Sequence, residues 1–223
     1  MKKVLVTAGS TRVPIDQVRA ITNIFQGKTG HDIARYMARE GADVTLVTSN
    51  NDVVGVDRLR VLRYSTFDEL ADIMAMEITD GAYDAVVHSA AVSDYKVSGV
   101  FAKDDADRLV PLDSAKKVSS AHPNLYFELV PTEKLIDKIR ADWGFEGMIV
   151  KFKLEVGKTY SELISIATAS VRASKADLII ANNLEWYRSA ALFITPDGMS
   201  VTVGRPELAG EIWKKINVTE KGK

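Results

Sequence analysis

The stretch from Val4 to Ala34 constrains this chain more than any other. An apolar run, Val4-Leu5-Val6, breaks into the small and hydroxyl residues Thr7-Ala8-Gly9-Ser10-Thr11-Arg12. The chain continues through Pro14-Ile15-Asp16 and Thr22-Asn23 to a second small-residue turn, Gly27-Lys28-Thr29-Gly30, followed by a helical stretch from Asp32 to Glu40. A strand ending in small residues leaves backbone N–H groups free to approach a phosphate closely. Two such turns, the second carrying a lysine, point to a ligand with more than one anionic group, a nucleotide or a phosphorylated metabolite.

Composition narrows the field. The 223 residues, 46% of them hydrophobic, are enough for one well-buried core, so a single domain over 1–223 is expected. The 29 basic and 30 acidic residues nearly cancel, which argues against a broad nucleic-acid-binding face. With no cysteine there is no disulfide framework, thiolate metal site or cysteine nucleophile. Met1-Lys2-Lys3-Val4 passes directly into a strand-like run without a signal-peptide core. No apolar stretch approaches the roughly 20 residues that span a bilayer. A cytoplasmic protein without a membrane partner is the expectation.

Short β-branched runs alternate with longer amphipathic segments, which predicts an α/β fold with a mainly parallel sheet. Strands are predicted near Lys3–Thr7, Asp43–Thr48, Arg60–Arg63, Ala85–His88, Tyr126–Val130, Met148–Phe152, Leu178–Ala181 and Ala191–Thr195. Met199–Val203 pairs with the last as a C-terminal hairpin, because Pro196-Asp197-Gly198 is strong turn chemistry. Helices fit Gly30–Glu40, Thr66–Thr79, Thr132–Asp142, Thr159–Ser174 and Pro206–Asn217, with Thr132 as an N-cap after Pro131. Residues 97–121 are mostly polar, with Lys103-Asp104-Asp105-Ala106-Asp107-Arg108 and Ser114-Ala115-Lys116-Lys117-Val118 inside them. A segment of this length without structure of its own reads as a flexible flap or a solvated loop.

Several familiar readings fail. The dinucleotide fingerprint G-x-G-x-x-G is absent after the first strand, where only Gly9 stands, and the second strand ends Val47-Thr48-Ser49-Asn50 with no ribose-binding acid. Gly27-Lys28-Thr29 copies the end of a P-loop, but Thr22 occupies its first glycine position and no strand immediately precedes it. His31, His88 and His122 lack ligand-like spacing, and Ser10 has no identifiable histidine partner.

The string VTAGSTRVPIDQVRAITN…GKTG resembles the phosphopantothenate–cysteine ligase family. Four further segments arrive in that family's order: Ser89-Ala90-Ala91-Val92-Ser93-Asp94-Tyr95, the lysine-containing Lys116-Lys117-Val118-Ser119-Ser120, Lys151-Phe152-Lys153-Leu154-Glu155, and Ala176-Asp177-Leu178-Ile179-Ile180-Ala181-Asn182-Asn183. The resemblance implies a Rossmann-like doubly wound fold with helices on both faces, working as a homodimer. It implies that a nucleoside triphosphate activates the phosphopantothenate carboxylate and that cysteine then forms the amide. The partners implied are phosphopantothenate, cysteine and the nucleotide, with Mg2+ expected to neutralise the phosphates. Because the chain begins at the ligase strand, a stand-alone enzyme without flavin is expected.

The resemblance also suggests roles. Asn23 is the candidate for handling the acyl-phosphate region, since an amide both donates and accepts. Lys116 and Lys117 are the candidate flap lysines, and the comparison does not choose between them. Gly9, Ser10, Thr11, Ser89, Ala90, Ala91, Asp94, Thr132 and Phe152 are assigned to the nucleotide, with Lys28 and Asn182 on the substrate. The family's usual Asn-Asp is Asn182-Asn183 here, and Arg172 and Lys175 are offset from the lysines of cytidine-specific members. CTP and ATP therefore both stay open. A reductase using NAD(P) and a non-catalytic nucleotide sensor on the same fold are the rival readings.

Overall fold

The chain, as a computed structural model, is described over residues 1–218. In chain order the elements are β1 (Lys3–Ala8), β2 (Arg12–Pro14), β3 (Ala20–Thr22), α1 (Lys28–Arg39), β4 (Asp43–Thr48), β5 (Leu59–Arg63), α2 (Phe67–Asp80) and β6 (Ala85–His88). There follow β7 (Tyr95–Lys103), β8 (Leu109–Pro111), β9 (Tyr126–Pro131), α3 (Leu135–Ala141), β10 (Met148–Glu155) and α4 (Tyr160–Ala173). The chain closes with β11 (Leu178–Asn183), β12 (Ala190–Ile194), β13 (Ser200–Gly204), a 3-10 turn at Arg205–Glu207 and α5 (Leu208–Val218).

The central sheet has eight strands in the order β13-β12-β11-β10-β6-β1-β4-β5. Strands β5, β4, β1, β6, β10 and β11 are parallel, and β12 and β13 add an antiparallel hairpin at one edge. β1, β4, β6 and β11 are buried along almost their whole length, as strands covered on both faces must be. Side-chain alternation divides them between two cores. Val4, Val6 and Ala8 pack with Ile33, Met37 and Ile212 of α1 and α5. Leu5, Val47 and Val86 pack with Leu70, Met74, Ile139 and Leu163 of α2, α3 and α4. The doubly wound expectation is met, and the order of strands reverses between β1 and β6. Open sheets of this kind hold ligands at that crevice, beyond the carboxyl ends of the strands.

Local signals start two of the helices. Thr66 accepts a hydrogen bond from the Glu69 N–H and Glu69 reaches back, forming a capping box for α2; Thr159 and Glu162 do the same for α4. The predicted N-cap at Thr132 is not one. Helix α3 begins three residues later, with Lys134 in the capping position and no side-chain cap. Pro131 is still paired with Tyr95 in an antiparallel ladder, and Thr132 is held at the end of that strand by its hydroxyl, which donates to the Ser93 carbonyl at 2.6 Å.

Residues 97–121 also differ from the sequence reading. β7 covers nine residues and pairs with both β8 and β9, making a three-stranded antiparallel arm beside the main sheet. The strand predicted at Tyr126–Val130 belongs to this arm. Only the connection after β8 follows the loop reading. It is tied down at Val118, which is 4% exposed. The Val118 N–H donates to Asp16 Oδ2 at 3.0 Å, and the Arg19 guanidinium donates to the Val118 carbonyl at 2.8 Å. Arg19 and Asp16 also form an ion pair at 2.5 Å.

The Arg19 guanidinium and the converging backbone N–H groups hold the Asp16 carboxyl well below the usual carboxylate range. A depressed acid contributes its stability above its unfolded pKa and loses it only as pH falls through the folded one. The tether is thus expected to persist below about pH 4, where an ordinary aspartate is already half protonated. Asp16→Ala should free the connection: limited proteolysis near Lys116 and Lys117 is expected to accelerate several-fold at neutral pH. Unchanged cleavage would show that the tether does not restrain it.

Candidate active site

Helix α1 is seated against the end of β1 with no room for side chains between them. A Cβ on Gly27 would overlap the Gly9 nitrogen and lie 2.7 Å from its Cα. A Cβ on Gly30 would lie 2.7 Å from Ala8 Cβ. Gly9 and Gly27 also hold φ values of 90° and 80°, which favour glycine. The close approach aims the unpaired N–H groups of the first turn of α1, with their partial positive charge, at the space beyond β1.

Buried polar contacts fix the strand ends around this cradle. The Tyr64 hydroxyl donates to the Ala8 carbonyl at 2.9 Å, and His31 Nε2 meets Thr48 Oγ1 at 2.7 Å. His88 Nδ1 meets Thr7 Oγ1 at 2.9 Å, and the same hydroxyl accepts from the Ala90 N–H at 3.2 Å. Burial, with Lys151 nearby, pushes the His88 pKa down to about 4. Lys151 lies opposite His88 across the sheet, with Nζ bonded to Ser170 and Ser174; burial lowers it to about 8.

The stretch after β6 is laced to the stretch after β1. The Ala91 N–H donates to the Gly9 carbonyl at 2.7 Å, and the Ala91 carbonyl accepts from the Thr11 N–H at 3.3 Å and Asn23 Nδ2 at 3.1 Å. Ser10 Oγ meets Thr22 Oγ1 at 3.0 Å. Thr11 Oγ1 accepts from the Ser93 N–H at 2.9 Å, and the Asp94 carbonyl accepts from the Thr132 N–H at 2.9 Å.

These elements open onto a cleft of about 810 Å3. Of the residues singled out from sequence, Gly9, Lys28, Ser89, Ala90, Ala91, Phe152 and Asn182 line it. Asn23, Ser10 and Thr11 stand beside it, joined by the bonds just described. Asp94 and Thr132 lie farther along the same network without lining the cleft. Lys116 and Lys117 are exposed on the tethered connection, with Lys116 paired to Asp113 at 3.5 Å.

The cleft walls carry four basic residues, Lys28, Lys153, Arg188 and Arg205, against one acid, Asp32. Sequence reasoning missed Arg188, Arg205, Phe25 and Tyr187. The last two meet edge-to-face, ring centres 5.8 Å apart, joining the loop before α1 to the loop after β11. Asn182 and Asn183 are 7% and 4% exposed, and the buried Oδ1 of each has no hydrogen-bond partner. Among the described residues no group of three or more His, Asp or Glu converges as a metal site. No described helix is long and apolar enough to cross a membrane.

An open, doubly wound sheet with a glycine cradle at its switch point defines a Rossmann-like α/β protein. Over residues 1–215 the chain matches the family described as DNA/pantothenate metabolism flavoprotein C-terminal domain, and it belongs to that family. It is 34% identical over 220 residues to the coenzyme A biosynthesis bifunctional protein CoaBC of Thermococcus kodakarensis, covering 96% of this chain and 51% of that protein. The chain spans about half the length of that curated relative. The structure of the DNA/pantothenate metabolism flavoprotein from Streptococcus pneumoniae superposes with a TM-score of 0.84 at 28% identity, over 97% of this chain and 99% of that one. A Cab2 variant in complex with phosphopantothenate-cysteine superposes at 0.69 and 19% identity, over 98% and 89% of the two chains, a likeness of fold.

The buried neutral imidazole gives a pH test. His88 has a folded pKa below its unfolded value, so it favours the fold above about pH 6.5, and that contribution is lost as pH falls towards 4. Denaturant midpoints should therefore drop between these values in the wild type and drop less in His88→Gln. Parallel pH curves for the two proteins would contradict the assignment.

Proposed function

We propose that the chain is a phosphopantothenate–cysteine ligase, which joins 4'-phosphopantothenate to L-cysteine through an acyl-nucleotide in coenzyme A biosynthesis. The observation that carries this reading is the glycine cradle opening into a cationic cleft at the switch point, in a chain matched to a pantothenate-metabolism family along almost its whole length.

In the first step a carboxylate oxygen of phosphopantothenate attacks the α-phosphorus of CTP or ATP. The bond to the bridging oxygen breaks, and pyrophosphate leaves with the electron pair. In the second, the cysteine amine attacks the acyl carbon, the acyl–oxygen bond breaks, and the nucleoside monophosphate departs; the amine's proton passes to solvent. Both steps bring anions together, so positioning and fixed positive charge supply most of the catalysis. The first turn of α1 takes the phosphates of the nucleotide, Gly9, Ser10, Thr11, Ser89, Ala90 and Ala91 form the backbone shelf under them, and Lys28 contacts substrate. Phe152 packs on the base, Asp94 holds the ribose with Thr132 bracing its backbone, and Asn182 contacts substrate. Asn23, anchored on the Ala91 carbonyl, spans the acyl carbonyl and the phosphate. Lys116 and Lys117 close over the phosphates when the connection after β8 swings inward.

The described residues do not build a carboxylate cage for a metal. Magnesium belongs to this reading as the counter-ion carried by the nucleotide, and no step is assigned to it. Exposed apolar side chains on the arm and the β2–β3 hairpin, among them Ile21 at 42%, Phe127 at 38% and Leu129 at 46%, support a homodimer formed through this face. A cytoplasmic location accords with the proposed chemistry.

Pyrophosphate release measured with CTP or ATP, phosphopantothenate and cysteine should depend on phosphopantothenate. Asn23→Ala and the double variant Lys116→Ala/Lys117→Ala should each slow it by about 100-fold or more, the range lost with an oxyanion donor, while thermal unfolding stays unchanged. Nucleotide binding without turnover would favour the sensor, and oxidation of a pyridine nucleotide the reductase. Sedimentation should give a dimer for the wild type and a monomer for Ile21→Glu/Leu129→Glu; a dimeric variant would place the interface elsewhere.

A further inference from the structure

Arg205 is carried to the cleft from the far end of the chain. Its backbone N–H donates to the Ser189 carbonyl at 2.9 Å, and it opens the 3-10 turn that leads into α5. Helix α5 is buried against the core through Leu208, Ile212 and Ile216, so the backbone at Arg205 is held rigidly. The guanidinium hydrogen-bonds Thr29 Oγ1, on the second residue of α1, and lines the same cleft as Gly27 and Lys28. It forms no ion pair among the described residues; Asp32 acts on it only at longer range.

A guanidinium has five N–H donors, and this one uses a single donor on a neutral hydroxyl. A half-buried arginine left in that state is poised for an anion. Lys28 and Lys153 line the same cleft, so the guanidinium stands among further positive charge with Asp32 as the one acid on its walls. We propose that Arg205 is a phosphate-binding catalytic residue that grips the outer two phosphates of the nucleoside triphosphate at the amino end of α1. Resting on the ligase reading, the role extends to the chemistry. As the carboxylate oxygen bonds to the α-phosphorus, the electron pair of the breaking bond moves onto pyrophosphate, and Arg205 donates hydrogen bonds to those oxygens. Fork geometry suits two oxygens of one phosphate better than a lysine would. Thr29 orients the guanidinium and does not itself bind the charge.

The test is calorimetric binding of inorganic tripolyphosphate, together with the mono-, di- and triphosphate of whichever nucleoside binds the wild type. Arg205→Ala should weaken tripolyphosphate and the triphosphate by about 10-fold or more, as expected for loss of a charged hydrogen-bonding group. The monophosphate should bind within about twofold of wild type. Arg205→Lys should recover part of the loss, and Thr29→Val should cost little. Arg205→Gln keeps the stem without the charge and carries the test if the alanine variant does not fold. Equal losses for mono- and triphosphate, or wild-type tripolyphosphate binding in both Arg205→Ala and Arg205→Gln, would overturn the assignment, as would wild-type protein that binds no tripolyphosphate. Loss of tripolyphosphate binding in a protein whose wild type shows no phosphopantothenate-dependent pyrophosphate release would sustain Arg205 as the phosphate ligand and remove the ligase reading instead.

Discussion

The contact on which the site depends is one in which two backbones touch and no side chain intervenes. Gly27 lies against Gly9 so closely that a methyl group on it would collide with main-chain atoms, and Gly30 meets Ala8 one turn further on. That approach sets where α1 starts and where its free N–H groups point. It sits at the break between the β1-β4-β5 and β6-β10-β11 halves of the sheet, the place where the strand order leaves a crevice. Without a G-x-G-x-x-G turn, the chain reaches a similar end by bringing two separate glycine turns together across the β2–β3 hairpin.

The second layer of the design is polar and buried. Thr7, His88 and the Ala90 N–H form one chain of hydrogen bonds, and Lys151 is satisfied by the serine oxygens of Ser170 on α4 and Ser174 at its C-terminal cap. Such groups are costly unless partnered, and here their partners hold the strand ends that carry the cleft residues. The exceptions are the buried Oδ1 acceptors of Asn182 and Asn183, which lack partners, and the under-used donors of Arg205; of these residues Asn182 and Arg205 line the cleft. The satisfied groups position the site.

The inner strands β1, β4, β6 and β11 were legible because they are buried on both faces and read as short, mostly apolar, β-branched runs. The arm was not. β7 has only Val100 and Ala102 buried, and its charged turn at Lys103 to Arg108 resembles a solvated loop. β2 and β3 are three residues each, too short for a periodic signal. Thr132 carried a helix-start signature that the ladder with Tyr95 overrode. The cleft residues found from sequence stand on motifs at strand ends. Arg205 and Asp16 work through partners 176 and 102 residues away, pairings set by the terminal hairpin and the arm and by no local pattern.

Transfer of an oxygen atom tests the mechanism most directly. Phosphopantothenate labelled with 18O in its carboxylate should be turned over with cysteine and the nucleoside triphosphate, and the nucleoside monophosphate analysed by mass spectrometry. An acyl-nucleotide built over the cradle predicts one labelled oxygen in each monophosphate released and none in pyrophosphate. Unlabelled monophosphate, or label recovered in inorganic phosphate or pyrophosphate, would contradict the account.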